Sequence, residues 1–183
     1  MSKKGLISIV KMDKIKATYI HRNAELEGIG KRVVRLCREN TLNDLNALYD
    51  SLILVDEEIP MTKAQIDAYK KYMPEQLHSD QLDWTTALKY TKDATAPLRD
   101  GFPYVVDYAG FLPSWRNRFR YTIDLDKNIL KIAKGGLEVI SQQSDEFFDD
   151  ADYCDKITPC VLAEFPLEDI PNNWMEVCKA KWQ

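Results

Sequence analysis

Residues 115–134 read WRNRFRYTIDLDKNILKIAK, and the alternation in the first half of this stretch decides the fold class. Trp115, Asn117, Phe119, Tyr121, Ile123 and Leu125 fall on one side of an extended chain, mostly apolar. Arg116, Arg118, Arg120, Thr122, Asp124 and Asp126 fall on the other, entirely polar. A period of two predicts a half-buried strand over 115–125. Asp126-Lys127-Asn128 supplies a turn, Ile129 to Lys134 a returning partner strand, and Gly135-Gly136 its end.

Working outward, residues 5–12 (GLISIVKM) and 15–22 (IKATYIHR) predict a second hairpin, turning at Asp13-Lys14. In its second strand Ala17, Tyr19 and His21 share one face, and Lys16, Thr18 and Ile20 the other. After a loop from Asn23 to Glu27, Gly28 and Gly30 open a helix running to about Asn40. Ile29, Val33, Leu36 and Cys37 form its apolar stripe, opposite Lys31, Arg32, Arg35 and Arg38. Thr41 caps a helix reaching about Leu52, with Leu42, Leu45, Leu48 and Tyr49 inward. Thr62 and Gln65 match a capping box ahead of Ile66, Tyr69, Tyr72 and Met73. Residues 82–91 predict a further helix, whereas Pro and Gly interrupt 94–114. A last strand is expected at Cys160 to Phe165, followed by Pro166 and a short C-terminal helix. The expectation is a single α+β domain over 1–183, with antiparallel hairpins at about 5–22 and 115–134, a C-terminal strand and three or four helices.

Composition bounds the function. The 183 residues are 45% hydrophobic and 30% charged, enough to build an ordinary core. Four Cys are too few for a disulfide framework, and Cys37, Cys154, Cys160 and Cys178 lack zinc-site spacing. No apolar run is long enough to span a membrane, and residues 1–20 carry no secretory signal, so a cytoplasmic protein is expected. The net charge is −4, yet residues 1–40 hold ten Lys/Arg against four Asp/Glu. The acidic total argues against nucleic acid as a partner.

Two candidate ligand sites emerge. His21 ends a strand beside Asn23 and Glu25, and the glycine-opened helix behind it presents N–H groups where an anion can sit, with Gly28 and Gly30 allowing close approach. Arg116, Arg118 and Arg120, at period two, would form an outward row of guanidinium groups able to grip phosphate or carboxylate. A candidate partner-binding segment is the acidic–aromatic run at 145–155, with Asp145, Phe147, Phe148, Asp149, Asp150 and Tyr153. That run fails the EF-hand pattern, so no metal is expected. Ser2, after removal of Met1, could act as an N-terminal nucleophile. No Gly-x-Ser-x-Gly, Walker loop or His-Glu-x-x-His occurs, and no cofactor is expected.

Gly5, Tyr19, His21, Gly28 and Gly30, with Tyr121, Ile123, Asp124, Leu125 and Asp126, carry a resemblance. In these positions the chain resembles a family of unassigned activity found in phages, bacteria and fungi. That family opens Thr-Arg-Gly, continues Tyr-Asn-His, an aromatic residue, Asp-Ser-Tyr-Pro and Gly-Leu-Gly, and later shows Tyr-x-Ile-Asp-Leu-Asp. The chain departs from it at Lys3-Lys4, Ile20 and Asn23-Ala24. The resemblance implies a shared fold and a phage or bacterial accessory protein. The functional expectation is a non-catalytic binding protein engaging a small anionic ligand or a partner protein. The alternative is a small hydrolase or transferase acting on a phosphorylated or acyl substrate, with His21 as general base oriented by Asn23 or Glu25. Oligomeric state is not legible in the sequence.

Overall fold

The computed structural model describes residues 3–111, 118–135 and 160–181. Five strands, β1 (Gly5–Lys11), β2 (Lys14–Ile20), β5 (Phe119–Asp124), β6 (Ile129–Lys134) and β7 (Cys160–Pro166), form one mixed sheet in the order β2-β1-β5-β6-β7. Both expected hairpins are present, as β1–β2 and β5–β6. They are joined through a parallel β1–β5 pair that local patterning does not announce. The first turn lies one residue earlier than the sequence suggests, at Met12-Asp13, because Lys11 pairs with Lys14. Both turn residues have positive φ, 51° and 57°, the conformation that matches the twist of a two-residue hairpin. The Asp126 carboxylate braces the tip by accepting from Met12 N at 2.7 Å and Asp13 N at 3.1 Å.

Helices among the described residues are α1 (Lys31–Glu39), α2 (Leu42–Ser51), α3 (Lys63–Tyr69), α4 (Trp84–Tyr90), the single turn α5 (Ala96–Arg99) and α6 (Trp174–Ala180). This exceeds the three or four expected; α5 begins around Pro97, in the stretch the sequence left unplaced. Thr41 with Asp44 and Thr62 with Gln65 both form reciprocal capping boxes. Two three-residue strands, β3 (Ile53–Val55) and β4 (Tyr104–Val106), pair in parallel as a small separate sheet.

The main sheet is covered on one face along its length and on the other over β1 and β2. Ile7, Ile9, Phe119, Tyr121, Ile123, Leu130 and Ile132 meet the apolar stripes of α1 and α2, together with Trp174 and Cys178 of α6. The opposite face begins at Leu6, which enters a second cluster with Ile66, Tyr69, Trp84, Phe102, Val106 and Tyr108. The reading of β5 changes as well. Its polar face was expected to be solvated, but Arg120 is only 8% exposed and Asp124 9%. Thr122 instead accepts a hydrogen bond from Ser8 Oγ at 3.0 Å across the parallel pair. A central strand paired on each side, with Arg120 and Asp124 both buried, has no outward arginine row to offer.

Candidate functional site

The turn after β2 is built by the chain's own groups. Asn23 adopts φ 58°, a left-handed conformation that asparagine tolerates, and its carbonyl accepts from Ile29 N at 2.8 Å. Glu25 O accepts from Gly28 N at 3.0 Å and Gly30 N at 3.1 Å, closing a wide helical turn over Leu26–Gly30 before α1. These are the N–H groups that an anion at the helix start would need, and backbone carbonyls already occupy them. The glycines serve the same packing. A Cβ at Gly28 would lie 2.3 Å from Asn23 O, and one at Gly30 would lie 2.8 Å from the Tyr121 hydroxyl. That hydroxyl donates to Ala24 O at 2.6 Å. Through this contact the glycine turn and the Tyr121 strand meet in one place.

The basic face of α1 is largely committed as well. Arg32 pairs with Asp93 at 3.1 Å and Arg35 with Glu39 at 2.6 Å. Arg38 Nη2 donates to Ile170 O at 3.0 Å and Pro171 O at 2.9 Å, tying the chain ahead of α6 to this helix. Of the arginine row, Arg118 is exposed at a bend and its backbone N donates to Lys4 O at 3.0 Å. Arg120 is buried within the sheet, and Arg116 lies outside the described residues. Asp145, Phe147, Phe148, Asp149, Asp150, Tyr153, Cys154 and Ser2 also lie outside them.

His21 is different. It sits half-buried just past β2, and its Nε2 is buried with no hydrogen-bond partner among the described residues. Tyr19 meets its ring edge-on, with centroids 4.7 Å apart, and Tyr19 in turn lies 5.6 Å from the Tyr108 ring. Burial pushes the imidazole down to about 4, and the positive charges of Lys4, Arg22 and Lys89 add to this; Glu57 acts in the opposite sense. His21 is therefore neutral at physiological pH. Lys4, Arg22 and Lys89 are exposed, and none of them has an ion-pair partner among the described residues. Arg22 and Lys89 both lie over the Tyr90 ring, at 5.7 Å and 5.4 Å from its centroid, so one aromatic surface holds two cations. Glu57 Oε2 accepts from the Tyr108 hydroxyl at 2.5 Å. Burial first, and then this carboxylate, raise the Tyr108 phenol well above its ordinary range.

The two residues expected to orient His21 do other work. Glu25 pairs loosely with Lys3 at 3.9 Å, and Asn23 shapes the turn. The charges that act on His21, those of Lys4, Arg22, Glu57 and Lys89, come from four separate segments. No local pattern could have gathered them. A narrow slot runs from His21 and Arg22 to Trp84, Thr91 and Leu98, and at ≈ 20 Å³ it has room for one water molecule. A ligand larger than water does not fit within this slot.

Elsewhere, burial pushes the Cys37 thiol up to about 12 and the Cys178 thiol up to about 11, so neither is a ready nucleophile. Among the described residues, no group of three or more His, Cys, Asp or Glu side chains is placed to hold a metal ion. No described helix is long and apolar enough to cross a membrane. A scan of protein-family models, a search of curated proteins and a search of solved structures each find no match to this chain.

Proposed function

We propose that this chain is a non-catalytic binding protein, an accessory protein of a phage or bacterial cytoplasm, that holds a small anionic ligand at His21. The observation that carries the reading is the cluster itself. Three exposed cations without ion-pair partners among the described residues, two of them over the Tyr90 ring, add their charge at a neutral imidazole whose Nε2 is buried and unpartnered. Unbalanced like charge is costly, and an anion relieves it. A buried ring nitrogen without a partner is equally costly, and the one water for which the slot has room can link it to a ligand oxygen outside. Guanidinium and ammonium donors both suit phosphate or carboxylate.

The competing reading makes His21 a general base. Its neutral form and unpartnered nitrogen favour that role. The weakness is its low proton affinity, because an acceptor held near 4 drives proton abstraction poorly at pH 7. Calorimetric titration of the full chain with inorganic phosphate separates the two. Binding is expected, weakened at least about tenfold by Arg22→Glu and by Lys89→Glu. Unchanged affinity in both variants sinks the anion site. Turnover of a phosphate ester by the wild type, abolished in His21→Ala, would replace binding with hydrolysis.

A further inference from the structure

We infer that the open edge of β3 is a docking site for an extended, basic segment of a partner protein, which adds to it as a further strand. Ile53 N donates to Pro103 O at 2.6 Å and Asp107 N donates to Val55 O at 3.0 Å, so Ile53 and Val55 turn their backbone groups towards β4. Leu54, between them, points its N–H and C=O the other way. Neither group has a hydrogen-bond partner among the described residues, and no described strand lies on that side. The side chains along this edge are apolar and in water, with Ile53 51% and Leu54 39% exposed, and Ile59 just beyond them 61%. Val55 packs against the second core, which holds the edge in place. A fixed apolar edge with free backbone groups is a template for strand addition.

Charge selects the occupant. Residues 50–60 hold Asp50, Asp56, Glu57 and Glu58 and no Lys or Arg. Lys11 pairs with Asp50 at 2.7 Å, and the Tyr108 hydroxyl donates to Glu57 at 2.5 Å. Asp56 and Glu58 remain, both exposed and without ion-pair partners among the described residues. A second copy of the chain is a poor occupant. β3 is three residues long, and pairing it with itself sets Asp50 against Glu58 in the antiparallel sense, or Asp56 beside Asp56 in the parallel sense. An extended segment with alternate apolar residues and Lys or Arg at its ends meets no such repulsion. It gains two main-chain hydrogen bonds from Leu54, apolar contact with Ile53 and Leu54, and attraction to Asp56 and Glu58. So short an edge buries little area, which makes the contact a transient one, weakened further by salt.

The test is an NMR titration of the isotope-labelled full chain at low salt with a blocked heptapeptide, Lys-Thr-Val-Thr-Val-Thr-Lys, and with its counterpart carrying Glu in place of Lys. The Lys peptide is expected to shift the Leu54 amide saturably and to bind at least about tenfold more tightly than the Glu peptide. Leu54→Pro removes only the outward N–H and leaves both printed-side bonds to β4 intact, so it should keep the fold and weaken the Lys peptide at least about tenfold. Asp56→Lys combined with Glu58→Lys leaves the β3 backbone unchanged and should weaken the Lys peptide at least about fivefold while tightening the Glu peptide. No binding of either peptide overturns the inference, as do shifts confined to residues away from β3, or unchanged affinity for the Lys peptide in both variants. A Leu54 amide already protected from hydrogen exchange in the free chain would mean that the edge is taken, and a concentration-dependent shift there would make a second copy the occupant. Either result also overturns it. The anion site at His21 stands or falls separately from all of these outcomes.

Discussion

An imidazole that loses water on folding and gains three positive neighbours resists protonation, and His21 is in that position. Its value of about 4 lies below the ordinary 6.5 that it regains in the unfolded chain. Between these two values the unfolded state binds more protons than the folded state, so stability falls as pH drops from 6.5 towards 4. Above 6.5 both states are neutral at this position and the contribution is flat. Asp44, Asp93 and Asp126, all lowered in the fold, lose their contributions at more acid pH, so the upper part of the window isolates His21. Urea unfolding at pH 7 and pH 5 should show a loss of midpoint in the wild type that is reduced in His21→Asn. Equal losses in the two proteins would mean that His21 is not held neutral. The sequence marked His21 as a polar residue at a strand end beside a tight turn. It could not show the electrostatics, because Glu57 and Lys89 reach it only through the packing of α3 and α4 beside the sheet.

At the scale of elements, the sequence spoke clearly wherever the signal was local. Thr62 with Gln65 and the alternation through residues 119–124 each specify their own element, and the structure has them in place. Arg120, Thr122 and Asp124 show the limit of such reading. Polar alternation normally means water on that face, but here Arg120 and Asp124 are buried on it in a strand paired on both sides. The β1–β2 turn gives a direct test of local chemistry. Met12 and Asp13 both hold positive φ, and Met12 is 77% exposed, so the tip carries side chains its backbone does not favour. Asn-Gly suits this geometry, and the Asp126 carboxylate bonds the tip through two backbone N–H groups, so that brace survives the exchange. Replacing the pair, Met12→Asn with Asp13→Gly, should stabilise the protein by about 0.5–1 kcal/mol in chemical denaturation. A loss of stability would show that the tip is held by contacts other than turn geometry and Asp126.

At the scale of the whole molecule, β1 is the member that both cores share. It is hydrogen-bonded to β2 on one side and to β5 on the other, so neither half of the sheet forms without it. Leu6 and Ile7 are adjacent residues with opposite allegiances, Leu6 in the cluster with Trp84 and Ile7 in the cluster with Trp174. Stripping either face exposes the strand that organises the other. The two clusters should therefore unfold as one cooperative unit, even though the segments feeding the second lie outside the main sheet. Leu6→Ala and Leu130→Ala, one cavity in each core, should each cost about 2–4 kcal/mol. In urea each should move a single transition, coincident by far-UV circular dichroism and by tryptophan fluorescence. If Leu6→Ala instead splits the curve, with Trp84 fluorescence lost before the helical signal of α1 and α2, the second core is an independent unit. The His21 cluster, which draws Lys89 and Glu57 from that layer, would then come apart at a denaturant concentration where the sheet still stands.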